Sequence, residues 1–267
     1  ISGNDVDQDI AELGFAPLEA LSESIKADGL HRRWTVRLRD DIVWQDGERI
    51  TSDDLIYTID AITNPDSKSP LAASFEGVAV TRVSELETKI VLPSAYAFFG
   101  TTLGNLRIIP RHIFGNIPVQ NFRLSSYVLE PVGSGPYRYL HYEKERDGFI
   151  TTYELEASPS YALPHPLIPR LDFVFARSGE ELVSAFNRGE IDGFVAADPA
   201  LLQQTTARKT IYRLTPERYY AVFINRGLAP SLKNLERRKA LSNATKRDEL
   251  VEIVWGGYAK TAEGLPP

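Results

Sequence analysis

Apolar and polar residues alternate most clearly at Trp34, Val36 and Leu38, which are interleaved with Arg33, Thr35, Arg37 and Arg39. That period of two predicts a strand with one buried face. Asp40-Asp41 interrupts it, Ile42-Val43-Trp44 resumes it, and Gln45-Asp46-Gly47 predicts a turn with glycine where positive φ is required. Thr51-Ser52-Asp53-Asp54 then supplies a hydroxyl and, three residues on, a carboxylate, a capping-box pattern. Leu55, Ile59 and Ile62 follow on one helical face, and Asn64-Pro65 ends the helix. Upstream, the first thirty residues are acidic and mixed, and Pro17 to Leu21 predicts one packed turn of helix.

Val78, Val80, Val83, Leu86, Ile90 and Leu92 predict an antiparallel hairpin. Tyr96, Phe98 and Phe99 form an aromatic cluster too irregular for a strand, and residues 118–131 predict a loop with at most one helical turn. Gly133-Ser134-Gly135-Pro136 predicts a tight turn into a strand pair whose tip is Arg146-Asp147-Gly148. Residues 158–169, rich in proline, predict a surface connection.

From Leu171 to Phe175 a short apolar run predicts a buried strand. Ser178 and Glu181 cap a helix that stops at Gly189, and residues 191–195 predict a second strand, so that the whole reads as a βαβ unit with a right-handed crossover. Residues 219–225 are strand-like. Two helices follow, one from about Asn234 to Ala244, the other capped by Thr245 and ending at Gly256-Gly257. No internal repeat or low-complexity tract interrupts these elements.

Composition narrows the function classes. With 267 residues, 43% of them hydrophobic and 25% charged, the chain has ample material for a core. A formal net charge of −6, with no long run of either sign, disfavours nucleic acid and anionic membranes as partners. The absence of cysteine excludes disulfides, thiolate metal sites and a cysteine nucleophile from this sequence. No apolar run reaches the length of a membrane span, and Ile1 to Asp5 reads as neither an initiator start nor a signal peptide, so residue 1 is taken as a processing or artificial boundary. The absence of methionine has no physical account.

Catalytic patterns are missing. Gly133-x-Gly135 is followed by Pro136 and lacks the third glycine and helix of a dinucleotide fingerprint. His31, His112, His141 and His165 lack the spacing of a zinc site, so no metal or cofactor is expected. The pairs Asp40-Asp41, Asp53-Asp54 and Glu180-Glu181 are adjacent residues that point apart, and no serine sits in a Gly-x-Ser-x-Gly elbow. Asn243-Ala244-Thr245 matches the glycosylation triplet, but the reading of Thr245 as a helix cap makes that match a coincidence. Tyr219, Tyr220 and Phe223 beside Asn225, together with Tyr96 and Phe98, have the chemistry of apolar ligand walls with polar handles; core packing is the competing reading.

The run from Val36 to Leu55, with its strand, its Trp44-Gln45-Asp46-Gly47 turn and its Thr51-capped helix, resembles the signature of family 5 solute-binding proteins. Further matches follow in the family's order: Ile109-Pro110-Arg111-His112, Val132 to Tyr137, Gly189-Glu190-Ile191-Asp192, Phe223-Ile224-Asn225, and Arg238 to Leu241 running into Arg247-Asp248. Lys246-Arg247 stands where members usually have Asp-Arg, and Ile25 lies near a position usually held by tryptophan or another large residue. Members are much longer.

The resemblance implies an α/β, type II periplasmic-binding-protein fold, a mixed sheet with flanking helices, closing around ligand by hinge motion. This chain would be a fragment, with residues 1–218 as a partial lobe one, including a subdomain at about 30–130, and residues 219–267 as the crossover strand and opening of lobe two. It implies no enzyme, but the binding component of an ABC importer, taking oligopeptide or a similar solute and handing it to permease subunits. Tyr96, Phe98, Tyr219, Tyr220, Phe223 and Asn225 are the expected ligand-binding residues. A monomeric, extracytoplasmic protein follows, periplasmic or held to the membrane by a lipid anchor outside this chain. The alternative is the ligand-sensing domain of a cytoplasmic transcription regulator with the same fold.

Overall fold

The structure, a computed structural model, describes residues 5–196, 198–212, 220–256 and 258–262. The chain divides into two compact units after Val174. In the first, α1 (Asp5–Gly14) and the single turn α2 (Leu18–Leu21) precede an antiparallel sheet of four strands: β1 (Ser22–Ala27), β2 (Arg33–Leu38), β3 (Ala79–Arg82) and β4 (Glu87–Val91), in the order β1-β2-β4-β3. The alternation that predicted β2 reports its two faces. Trp34, Val36 and Leu38 are buried, whereas Arg33 and Arg37 face solvent. Registers Val36↔Thr88 and Trp34↔Ile90 carry the same inward face onto β4.

α3 (Ser52–Thr63) lies between β2 and β3 in sequence and packs on β3 and β4. Its Leu55, Ile59 and Ile62 join Trp34, Val36, Leu38, Trp44, Phe75, Ile90 and Phe99 in one buried cluster. Each such side chain contributes about 1.5–3 kcal/mol when fully buried. The predicted hydroxyl-carboxylate pair starts the helix, the Thr51 backbone N–H and hydroxyl both donating to Asp54 Oδ2, at 2.9 and 3.3 Å. Asn64 closes it, its N–H bonded to Asp60 O.

α4 (Phe99–Gly104) and α5 (Arg111–Phe114) follow, and residues 118–131 form two short 3-10 turns. The second sheet is antiparallel: β5 (Tyr137–Lys144), β6 (Ile150–Ala157) and β7 (Arg170–Val174), in that order. Its hairpin turns at Gly148, with φ +89° and Asp147 Oδ1 accepting from Phe149 N.

A backbone junction ties the α1 end, the Trp44–Gly47 turn and the approach to β5. Gln45 Nε2 donates to Tyr137 O (2.8 Å) and Gly135 O (3.2 Å), and Gln45 Oε1 accepts from Gly133 N (2.8 Å). Gln45 N donates to Gly133 O, and Gly14 O accepts from Ser134 N and Gly135 N. A Cβ on Gly133 would lie 1.9 Å from Gly14 O, and one on Gly135 2.4 Å from Leu13 O. Both positions therefore exclude any side chain.

The second unit contains α6 (Gly179–Arg188), α7 (Ala200–Gln203), α8 (Leu235–Ala244) and α9 (Arg247–Trp255). Three expectations fail here. Residues 191–195 form no strand: Phe194 instead packs edge-on against Phe186 of α6 (centroids 5.5 Å), and Asp192-Gly193 has little strand propensity. The expected parallel βαβ unit is therefore absent, β7 pairing antiparallel with β6. Residues 220–225 likewise join no sheet among the described residues; Val222 is 92% exposed. An apolar run becomes a strand only where a neighbouring ladder takes up its backbone groups. Finally, Thr245 does not cap α9, because its hydroxyl donates back to Leu241 O at the end of α8, and Lys246 occupies the N-cap.

Candidate functional site

Tyr96 and Phe98 sit in the loop between β4 and α4. Tyr96 N donates to His31 O, and Phe99 N to Tyr96 O, which fixes the loop against the β1–β2 hairpin. Tyr96 and Phe98 meet edge-to-face with centroids 6.0 Å apart, and they are 51% and 71% exposed. Phe99, the third member of the cluster, points the other way into the core against Trp34 and Phe75. Leu30, on the hairpin that Tyr96 touches, is also exposed. It lacked a periodic signal because it lies in a loop.

That hairpin is shaped by Asp28. Its Oδ1 accepts from the backbone N–H groups of Leu30, Arg32 and Arg33. The Arg32 N–H bond does most to hold the carboxyl below its ordinary value; burial opposes it, and the Arg33 and Leu30 N–H groups and the Arg33 charge add to the lowering.

The remaining expected residues belong to the second unit. Tyr220 lies against Trp255, the last residue of α9, with centroids 5.3 Å apart and a 39° tilt. Phe223 is exposed, and Asn225 Oδ1 accepts from Gly227 N and Leu228 N, so this oxygen shapes its own turn. Tyr219 lies outside the described residues. Trp255 had no signal in the sequence beyond the end of a helical pattern.

Two cavities bear on binding. One, of about 10 Å³, lies between Leu21, Ile42, Ser134 and Tyr161 and is too small for a solute. The other is an open cleft of about 560 Å³ in the second unit, beside Ser242, Thr245, Lys246, Arg247 and Asp248. Within it Lys246 pairs with Glu249, and Arg247 donates to Ser242 Oγ and Ala262 O. The cleft lacks the apolar lining with a few polar groups typical of a ligand pocket, and the small cavity has such a lining without the room.

Among the described residues no group of three or more His, Asp or Glu is placed to hold a metal. His112 does gain a single carboxylate, its Nε2 lying 2.7 Å from Asp46 Oδ2 across 66 residues of sequence. Other shifted groups serve structure. Burial raises Tyr153, whose hydroxyl donates to Leu129 O, and the Arg39 hydrogen bond lowers Asp41. No described helix is long and apolar enough to cross a membrane.

The profile of bacterial extracellular solute-binding proteins, family 5 Middle, matches residues 15–267. The chain belongs to this family. The oligopeptide-binding protein AppA of Bacillus subtilis is 23% identical over 248 residues, 91% of this chain and 44% of AppA. The glutathione-binding protein GsiB of Pectobacterium atrosepticum is 24% identical over 258 residues, 92% of this chain and 46% of GsiB. Among solved structures, NikZ of Campylobacter jejuni, in complex with Ni(L-His), superposes with a TM-score of 0.76 at 25% identity, covering 92% of this chain and 48% of NikZ. The fold is thus the α/β fold of type II binding proteins, and the chain spans less than half the length of these relatives.

Proposed function

We propose that the whole protein is the substrate-binding component of an ABC importer, which takes an oligopeptide or a similar small solute between two lobes and delivers it to the permease. The observation that carries this reading is the family match across nearly the whole chain, with relatives named for oligopeptide and glutathione binding. No bond is made or broken in such a cycle. Ligand favours the closed form because only that form contacts it from both sides.

In this reading residues 1–218 belong to lobe one, with a subdomain at about 30–130, and residues 219–267 carry the crossover and the start of lobe two. The ligand walls are Tyr96, Phe98, Tyr219, Tyr220, Phe223 and Asn225. Support for Tyr96 and Phe98 comes from their exposure on the first unit, whose core takes up the neighbouring Phe99 instead. The protein works outside the cytoplasm as a monomer, in the periplasm or on a lipid anchor.

Native mass spectrometry of the intact protein, purified without denaturation, tests the reading. A retained peptide-sized solute, released on unfolding, is the expected result. Retention of a nucleotide or a metal ion alone would overturn it. Joint substitution of Tyr219 and Phe223 by alanine should weaken binding of that solute, and unchanged affinity would remove them from the site.

A further inference from the structure

His112 and Asp46 stand 66 residues apart in the chain, and their side chains meet, Nε2 to Oδ2, at 2.7 Å. Each partner is placed by its own backbone. Asp46 lies in the Trp44–Gly47 turn, where Gly47 N donates to Trp44 O and Asp46 Oδ1 accepts from Glu48 N, so that Oδ2 faces the imidazole. His112 lies in the single turn of α5, which α3 grips twice: Asp54 Oδ1 accepts from Arg111 N, and the Tyr57 hydroxyl donates to Phe114 O. The imidazole and the carboxylate are 34% and 33% exposed, so water reaches the contact without surrounding it.

The other charged groups of these elements have roles of their own. On α5, Arg111 reaches Asp53 at 3.8 Å, and Asp53 of α3 also takes Arg82 of β3 at 3.1 Å. Asp54 accepts from Thr51 and Arg111 N. Beyond the turn, Arg49 pairs with Glu85 at 3.5 Å, and Glu48 is exposed. Asp46 is the carboxylate on the ring.

We propose that this contact is a proton-dependent latch between the tryptophan turn and α5, firmer in mildly acid solution than above neutrality. Histidine is the side chain whose charge ordinarily changes between about pH 5 and 8. A neutral ring offers Nε2–H to the carboxylate as an ordinary hydrogen bond, whereas a protonated ring adds opposite charge at the same distance, and charge-assisted bonds are the stronger. Partial exposure screens the pair and keeps the gain modest.

The latch joins more than two side chains. Through Gln45 the turn holds Gly133, Gly135 and Tyr137. Through Phe114, which packs on Phe122 and Tyr127, α5 holds the 3-10 turns that follow it. Protonation of His112 therefore tightens the joint between these two parts of the first unit. The inference does not depend on what the protein binds.

Hydrogen exchange of the intact protein at about pH 5.5 and about pH 8.5 tests it, read as protection at residues 44–48 and 111–115 relative to wild type at the same pH. Asp46→Asn keeps an acceptor for Glu48 N–H and should fold. Its protection should fall about fivefold at the lower pH and about twofold or less at the higher. His112→Gln keeps an N–H donor but takes up no proton, so it should stay near wild type at the higher pH and fall like Asp46→Asn at the lower. The double variant should lose no more than either single one. Equal losses at both pH values would overturn the latch and leave a plain structural contact. No loss at either pH would overturn it as well, since the two side chains would then not meet in the intact protein.

Discussion

Single side chains do disproportionate structural work in this molecule. Gln45 spends its amide on the backbone of Gly133, Gly135 and Tyr137. Truncation to alanine strands those groups, so Gln45→Ala should cost about 1–3 kcal/mol in urea unfolding. Asp28 works by charge as well as geometry. Its folded value lies below its unfolded one, so its contribution is present above the unfolded value, near pH 4, and is lost as pH falls through the folded value. Melting curves from pH 6 downward should therefore fall less steeply for Asp28→Asn than for wild type, whereas Asp28→Ala should melt lower at neutral pH because the Leu30, Arg32 and Arg33 N–H groups lose their acceptor.

Elements succeed where a local signal and a tertiary partner agree. α3 has both: the 3.6-residue spacing of Leu55, Ile59 and Ile62, and a start fixed by Asp54. Asp54 is only 5% exposed, and beyond Thr51 its Oδ1 accepts from Arg111 N at the start of α5. Removing the carboxylate releases two helix starts together. Asp54→Ala should cost about 2–3 kcal/mol by equilibrium unfolding and speed amide exchange at Arg111, with Asp54→Asn intermediate because one oxygen remains to accept. β1 was missed for the opposite reason. In Ser22–Ala27 only Ile25 and Ala27 pack on the core, and a bulge between Ser22 and Ser24 blurs the alternation, so pairing with β2 makes it a strand. Residues 220–225 have strand composition without a ladder to join among the described residues, and in 191–195 the Asp192-Gly193 pair also weakens the strand pattern.

For the molecule as a whole, the junction of Gly14, Gln45 and the Gly133–Gly135 turn brings the first sheet and the start of the second together in the first unit. Gly133→Ala forces backbone against backbone, where no side chain can yield. It should cost about 3 kcal/mol or more, and hydrogen exchange should rise at residues 133–137 and 14–16 while the interior of α3 stays protected. The sequence by itself determined β2, α3, both hairpins, α6 and its left-handed Gly189, and the family resemblance, because caps, glycine turns and burial periodicity are properties of neighbouring residues. Only the tertiary structure decided that the glycines of the Val132–Tyr137 motif and Gln45 of the tryptophan turn are partners in one junction, that His112 meets Asp46, that β7 runs antiparallel to β6, and that Tyr220 rests on Trp255. Those are contacts between residues far apart in the chain, and local periodicity carries no record of which distant surface a residue will meet.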